Sequence, residues 1–375
     1  MISVYFFTSL NILMGLLLGL TPFISRKNTP FGVSLPVTET TKKVVDKQKK
    51  SYFVINFSSS IVLSIVTILL NQLSNNIKEE TLVYLSIVSL FIILFISIVT
   101  YVTRFKKIKE YKQSLSSQEK ISQKIVVDLS FRDEKLIFPT SYLVGINLIF
   151  VLLTLVLTIA NYHNIPDTVV MQWDFNMNPS RVVDKSWGTV LSLPFIQLFL
   201  TVVMAISNHS FLSAKQQIDR DNPEQSAAKN KKFRRQSSLL NFVISILTQI
   251  LMTAIQLLII FDTISPKVVM ILSIIFTVLV LGITLWYSLY YGQSGDRLKN
   301  MPTTSEDKEL EDSIIMDDSD DNWKLGMFYF NKEDPSFWVE KRMGVGMTFN
   351  FAKWQAWAFM IGVILVPFII VFFTN

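Results

Sequence analysis

The chain has 375 residues, of which 50% are hydrophobic, 13% aromatic and only 17% charged, with a mean hydropathy of +0.41, whereas a soluble domain carries about 25% charged residues. That balance excludes an ordinary water-soluble enzyme and predicts an all-α polytopic membrane protein. No cysteine is present and only His163 and His209 offer imidazole, which excludes disulfides, thiolate nucleophiles, iron–sulfur clusters and zinc sites rich in Cys or His, while a net charge of +6 reads as membrane topology rather than as nucleic-acid binding.

A helical span needs roughly 20 apolar residues. Uncharged runs of about that length predict eight transmembrane helices: Met1 to Ile24, Tyr52 to Leu73, Leu82 to Thr103, Ser141 to Ala160, Thr189 to Asn208, Leu239 to Phe261, Val268 to Tyr291 and Gln355 to Phe373. The first is read as a span and not as a cleaved leader, because Met1 to Phe7 lacks a positive region and no small-residue cleavage pattern follows. The segments after spans one, three, five and seven hold seven, nine, seven and eight Lys or Arg, together 31 of the 35. The other four are Lys78, Arg181, Lys185 and Lys267, so the positive-inside rule places the basic segments in the cytoplasm and both termini outside it.

In chain order, residues 1–138 form an N-terminal three-helix region. Gly15 and Gly19 in its first helix predict close helix packing. Its basic end, Ile125 to Phe138, alternates apolar and polar residues around Arg132, Asp133, Glu134 and Lys135, which predicts a cytoplasmic hairpin. Residues 139–210 form a helix pair around an outer loop, 161–188, long enough to be ordered. This loop sets Trp173, Phe175 and Trp187 beside Asp167, Asp174 and Asp184, either as an aromatic belt at headgroup level or as a binding surface. His163 with these aspartates has no compact metal-loop spacing, and no Gly-x-Ser-x-Gly elbow accompanies the histidines. The expectation is a protein that is not an enzyme and takes no cofactor and no metal.

Residues 211–300 carry helices six and seven. A polar stripe, Asn241, Ser245, Gln249, Thr253 and Gln256, recurs at helical spacing along the sixth. It either lines a ligand path or bonds neighbouring helices, the commoner use of such residues. No ionisable residue lies inside a span, which argues against a proton-coupled pump. Residues 301–322 hold nine acidic residues between Glu306 and Asp321 and predict a solvated, disordered linker. In 323–354, Lys332 to Pro335 predicts a turn between Leu325 to Asn331 and Ser336 to Arg342, making a second hairpin able to pair with the first. The Met343 to Thr348 segment lacks the Gly-Lys-Ser/Thr of a phosphate loop, so its glycines read as turn formers. Residues 355–375 form the last span.

Two local patterns resemble known families. Ile165-Pro166-Asp167, then Gln172-Trp173-Asp174 with Asn176, then Asp184-Lys185-Ser186, is similar to the domain of unknown function found in SdpI-type immunity proteins, with Gln172 where that family usually has His. The second pattern resembles an uncharacterised C-terminal domain often joined to the first. It comprises Trp323, Gly326, Tyr329, Asn331, Asp334 and Pro335, then Lys341, Arg342, Gly344, Gly346 and Asn350. Phe31-Gly32-Val33 and Pro36 resemble a further segment of such proteins. The resemblance implies a multi-pass protein of the bacterial plasma membrane, in a Gram-positive organism, and some members of the first family protect the producing cell from a membrane-active peptide and relay its presence to a cytoplasmic regulator. The partners implied are therefore the lipid bilayer, a membrane-active peptide, and a cytoplasmic regulator or membrane-protein partner. The leading expectation is peptide-toxin immunity, envelope-stress sensing or signalling. A small-molecule or lipid transporter using Asn241, Gln249 and Gln256, and a regulatory or structural partner of another membrane protein, are the rivals.

Overall fold

The computed structural model describes residues 2–74, 77–115, 124–127, 136–174, 177–216, 222–261, 265–299, 314–317 and 320–373. Among the described residues, eight α-helices follow one another: α1 (Ile2–Ile24), α2 (Glu39–Leu73), α3 (Glu79–Ser114), α4 (Thr140–Ala160), α5 (Trp187–Ser213), α6 (Pro223–Ile260), α7 (Pro266–Tyr291) and α8 (Trp354–Phe373). Among the described residues, seven are long and apolar enough to cross a membrane, and Trp354–Ile370 of α8 is a shorter apolar helix. The chain is a multi-pass membrane protein. Each helix covers an expected span, but α2, α3 and α6 run well past it on the basic side. Hydropathy finds only the lipid-facing part of a helix, and the charged turns of α2 before Tyr52 and of α6 before Leu239 continue the same backbone hydrogen bonding into the polar region.

The helices begin where local chemistry starts them. The Thr38 hydroxyl accepts from the Thr41 amide at the head of α2, and the Ser186 hydroxyl accepts from the Thr189 amide at the head of α5, each pairing a donor the helix leaves open. Proline opens α6 and α7, where its missing N–H costs nothing. Gly292, at φ +63°, ends α7.

Packing is inverted relative to a soluble bundle. On α2 the buried face is Asn56, Ser60, Ser64, Thr67 and Asn71, while Val54, Val62, Ile65 and Leu69 are exposed. Small polar residues let helices approach and bond one another where lipid, not water, is outside. A Cβ at Gly15 would collide with Ser60, and one at Gly19 would press on Phe53, so these glycines set the α1–α2 contact as their spacing predicts. This α2 stripe follows the same spacing rule as the α6 stripe.

The described residues also form four two-stranded antiparallel sheets. Strands β2 (Thr168–Trp173) and β3 (Pro179–Asp184) pair on the side opposite the basic face. On the basic face β1 (Lys124–Val127) pairs with β4 (Ile314–Asp317), β5 (Trp323–Lys324) with β6 (Phe328–Tyr329), and β7 (Trp338–Glu340) with β8 (Met347–Phe349).

Several sequence expectations change here. The described start of the alternating run, β1, pairs with β4, about 190 residues later, and the rest of the hairpin expected over Ile125 to Phe138, residues 128–135, lies outside the described residues. Arg132 to Lys135 lie outside the described residues. The acidic segment expected to be disordered up to residue 322 contains β4 and a 3-10 turn, Asp320–Asn322, whose Asp320 is ion-paired. The turn at Lys332 to Pro335 forms, with Asn331 Oδ1 accepting from the Glu333 amide at 2.9 Å and Asp334 Oδ1 from the Ser336 amide at 2.8 Å. It joins two short hairpins and does not close one long hairpin, because Leu325 and Gly326, both at positive φ, reverse the chain earlier. Among the described residues, β1 shares no sheet with β5–β8.

Candidate functional site

Three groups of residues are candidates, and the helices place them at three levels. On the side opposite the basic face, the β2–β3 hairpin sits on the ends of α4, α5 and α6 through Ile165, Val169, Val190 and Ile260. Asp174 shapes its tip: its two carboxylate oxygens accept from the amide and side chain of Asn178 at 2.7 and 3.1 Å. Lys185 ties its base, donating to the Ile165 carbonyl at 2.6 Å, lying 3.4 Å from Asp167 and 5.4 Å from the centre of the Tyr162 ring. Trp187 stacks on Tyr162 at 3.8 Å. Pro166, Gln172 and Asp184 are exposed, and Asn176 lies outside the described residues. Trp173 and Pro166 line an apolar cleft of about 210 Å³ closed by Met177, Pro179, Leu258, Ile259 and Pro266. The outer loop is thus a built platform with an aromatic rim and three aspartates.

At mid-depth, the α6 stripe is spent on neighbours. Asn241 donates to the Met204 carbonyl, Gln249 to the Gln197 carbonyl and the Thr201 hydroxyl, and Gln256 to the Thr158 hydroxyl and the Val190 carbonyl, all between 2.9 and 3.2 Å. Ser245 reaches Asn147, and Thr253 meets Thr154 and Gln197. These bonds lock α4, α5 and α6 together, the role the pattern most often has.

On the basic face, the Trp323 to Asn350 residues converge with the segment after α1. Phe31 packs against Tyr52 and Tyr101, with centroids 5.9 and 5.5 Å apart. Gly32 and Gly326 meet backbone to backbone, so close that a Cβ on either would overlap the other strand. Arg342, fully buried, donates to the Gly32 carbonyl and to Asp320, both at 2.6 Å, with its guanidinium 5.0 Å from the centre of the Trp323 ring. Asp320 also accepts from Lys112 at 2.6 Å and from the Ser34 hydroxyl at 2.7 Å. Burial alone pushes the Asp320 carboxyl up, but Arg342, Lys112 and Ser34 together hold it below its ordinary value.

A second hub holds the domain to α5 and α6. Arg234 and Glu340 are both fully buried and 2.9 Å apart. Arg234 also donates to Asn230 at 2.7 Å and to the carbonyls of Phe211 and Ala214 at 2.9 Å, while Asn230 and Ser294 donate to Glu340 at 2.7 and 2.5 Å. Next to it, the Lys215 amide donates to the Trp338 carbonyl, and its ammonium lies 3.0 Å from Asp334. Asp334 accepts from Tyr329 at 2.7 Å, and although burial opposes it, Tyr329, the Ser336 amide and Lys215 hold its carboxyl below the ordinary range. Asn350 cross-links the domain: its side chain accepts from the Asn331 amide at 3.1 Å and donates to the Asn331 carbonyl at 2.7 Å. Gly344 and Gly346 donate to Ser25 and Gln293 at 2.7 Å. The Lys341 amide closes β7 to β8 on the Gly346 carbonyl, and burial pushes its ammonium down. Pro335 is exposed at the turn.

The structure therefore joins the expected basic-face residues into one unit, keeps the outer platform as another, and spends the stripe between them. Sequence reasoning missed Asn230, Arg234, Asp320 and Glu340. Arg234 and Asn230 do carry a signal, since they share one helix face at i, i+4 spacing.

Two family models match parts of this arrangement. Residues 149–198, covering the second half of α4, the hairpin and the start of α5, match the Domain of unknown function (DUF1648). Residues 332–357, the second hairpin with the start of α8, match the Family of unknown function (DUF5808). Both fall where the two sequence patterns were recognised. No curated protein and no solved structure matches the chain.

Proposed function

We propose that the chain is a non-enzymatic plasma-membrane protein that meets a membrane-active peptide or envelope ligand on its outer platform and reports that encounter on its basic, cytoplasmic face. The positive-inside distribution supports the orientation, with both ends of the chain outside the cytoplasm. One observation carries the reading. Helix α5 starts at the base of the outer hairpin, where Ser186 caps it, and ends at Phe211, Ala214 and Lys215, which hold Arg234, Trp338 and Asp334 of the basic-face unit. The matched DUF1648 segment is thereby joined to the matched DUF5808 segment by a single helix. Asp167, Asp174 and Asp184 would attract a cationic amphipathic peptide, and Trp173 with its cleft would take the apolar face, Arg181 and Lys185 partly offsetting the charge. The resemblance to SdpI-type immunity proteins agrees with this reading.

The test is survival of cells carrying the wild type or Trp173→Ala against a panel of cationic membrane-active peptides, at matched abundance. Trp173→Ala leaves the Asp174 turn in place, so sensitisation to particular peptides is expected. Wild-type tolerance across the panel, equal to that of cells lacking the chain, overturns the reading. A transporter path along the stripe is disfavoured because the donors of Asn241, Gln249 and Gln256 already bond neighbouring helices.

A further inference from the structure

A cleft of about 430 Å³ opens between the end of α1 and the first turns of α2. Its cationic lining comes from Lys27, Lys42, Lys49 and Arg297, against Glu39 and Asp46. Lys42 faces Glu39 at 3.7 Å, Lys27 donates to the Asp296 carbonyl at 3.0 Å, and Arg297 donates to the carbonyls of Leu289 and Phe23 at 2.7 Å. Lys49 differs from these. It is only 9% exposed, lines the cleft, and among the described residues makes no hydrogen bond or close ion pair, the Asp46 carboxylate acting on it from beyond ion-pair distance. An ammonium with so little surface in water, opening only on the cleft and offset by one carboxylate at a distance, gains from a further counter-charge bound there.

The position of the cleft indicates where that charge comes from. Phe23 lies in the last turn of α1, and the apolar run of α2 begins at Tyr52, one turn beyond Lys49. Lys49 is therefore at headgroup depth, with the hydrocarbon layer beginning one turn above it and an apolar wall of Phe23, Leu35 and Val45 beside it. An anionic group carrying an apolar tail fits both surfaces, and basic pockets between membrane helices on the cytoplasmic side are suited to phosphate headgroups. From these observations we propose that the cleft binds the phosphate of an anionic phospholipid, with Lys49 as its direct counter-ion and Lys27 and Arg297 supplying a positive surround.

The test uses the purified full chain in neutral detergent, with thermal unfolding followed as phosphatidylglycerol, phosphatidylcholine, glycerol 3-phosphate or inorganic phosphate is added. Wild type is expected to gain several degrees of Tm with phosphatidylglycerol and little with phosphatidylcholine. Lys49→Met removes a largely desolvated charge that only Asp46 offsets, so it should keep or raise the lipid-free Tm while losing most of the phosphatidylglycerol increment. Lys47→Gln, on the exposed side of the same helix, should retain it. Apparent affinity for phosphatidylglycerol should fall at least tenfold in Lys49→Met. Equal shifts with the two lipids, or an undiminished phosphatidylglycerol shift in Lys49→Met, overturn the proposal. A full shift from glycerol 3-phosphate or inorganic phosphate alone would assign the site to a soluble phosphate and overturn the lipid.

Discussion

Glu340→Gln is expected to release the basic-face domain without unfolding the helices. The carboxylate and the Arg234 guanidinium are both fully buried and 2.9 Å apart, and removing one partner of such a pair costs about 3–5 kcal/mol because the other charge stays behind unpaired. The Gln side chain can still accept from Arg234 and Asn230, so the lower end of that range applies. A loss of about 3 kcal/mol shifts the docked equilibrium roughly 150-fold, at about 1.36 kcal/mol per factor of ten. The assay is amide hydrogen exchange on peptides spanning Trp338 to Phe349, where protection should fall by about two orders of magnitude while the central turns of α2 and α6 stay protected. Arg234→Met combined with Glu340→Leu removes both charges. It should restore much of the protection, leaving only unpaired neutral groups at about 1 kcal/mol each. If the two single effects add within about 0.5 kcal/mol in the double variant, the pair does not hold the domain and the reasoning fails.

Other outcomes follow from the same contacts. Gly32→Ala would place a methyl group on the Gly326 backbone from a residue at φ +79°, and overpacking of this kind costs about 1–3 kcal/mol; protease nicking between Trp323 and Trp354 should speed up, and wild-type nicking rates would refute the contact. Asp320 and Asp334 are held below the ordinary carboxylate value, so their contribution is complete above about pH 4 and is lost as pH falls through their folded-state values. Trp323 fluorescence should therefore report undocking on acidification, and Asp320→Asn, already weakened at neutral pH, should show a smaller acid-induced change. Gln256→Leu removes bonds to Thr158 and Val190 and should lower thermal stability by about 0.6–2 kcal/mol, and an unchanged or raised Tm would show that the stripe is not spent on packing.

The helical frame was legible because its cause is local. Hydrophobic length acts segment by segment, and the eight apolar runs, Gly15 and Gly19, and the ordered loop at 161–188 all appear where that reasoning puts them. The basic face was legible only as a residue set. The β5–β8 strands are two or three residues long, too short for period-two alternation to register, and the turn at Leu325 and Gly326 sets Gly326 against Gly32 across some 290 residues of chain. The acidic segment misled for a related reason. Nine like charges do predict solvation, but Asp320 escapes it because Lys112 and Arg342, from opposite ends of the sequence, converge on one carboxylate.

The same distinction explains why the outer platform and the basic-face unit are not independent modules. Each is small, with four buried apolar residues at the hairpin base and three, Trp323, Tyr329 and Val339, in the β5–β8 domain. A core of that size does not hold a domain by itself. Both take their order from the α4–α5–α6 bundle, the hairpin through Val190 and Ile260 and the domain through Arg234 and Lys215. That bundle is fixed by specific polar bonds and not by lipid-like side chains that slide against one another. A displacement of α5 relative to α6 would have to break the bonds of Gln249 and Gln256 at one depth and those of Arg234 at another, so movement at the hairpin and movement at the domain are constrained by the same helix pair.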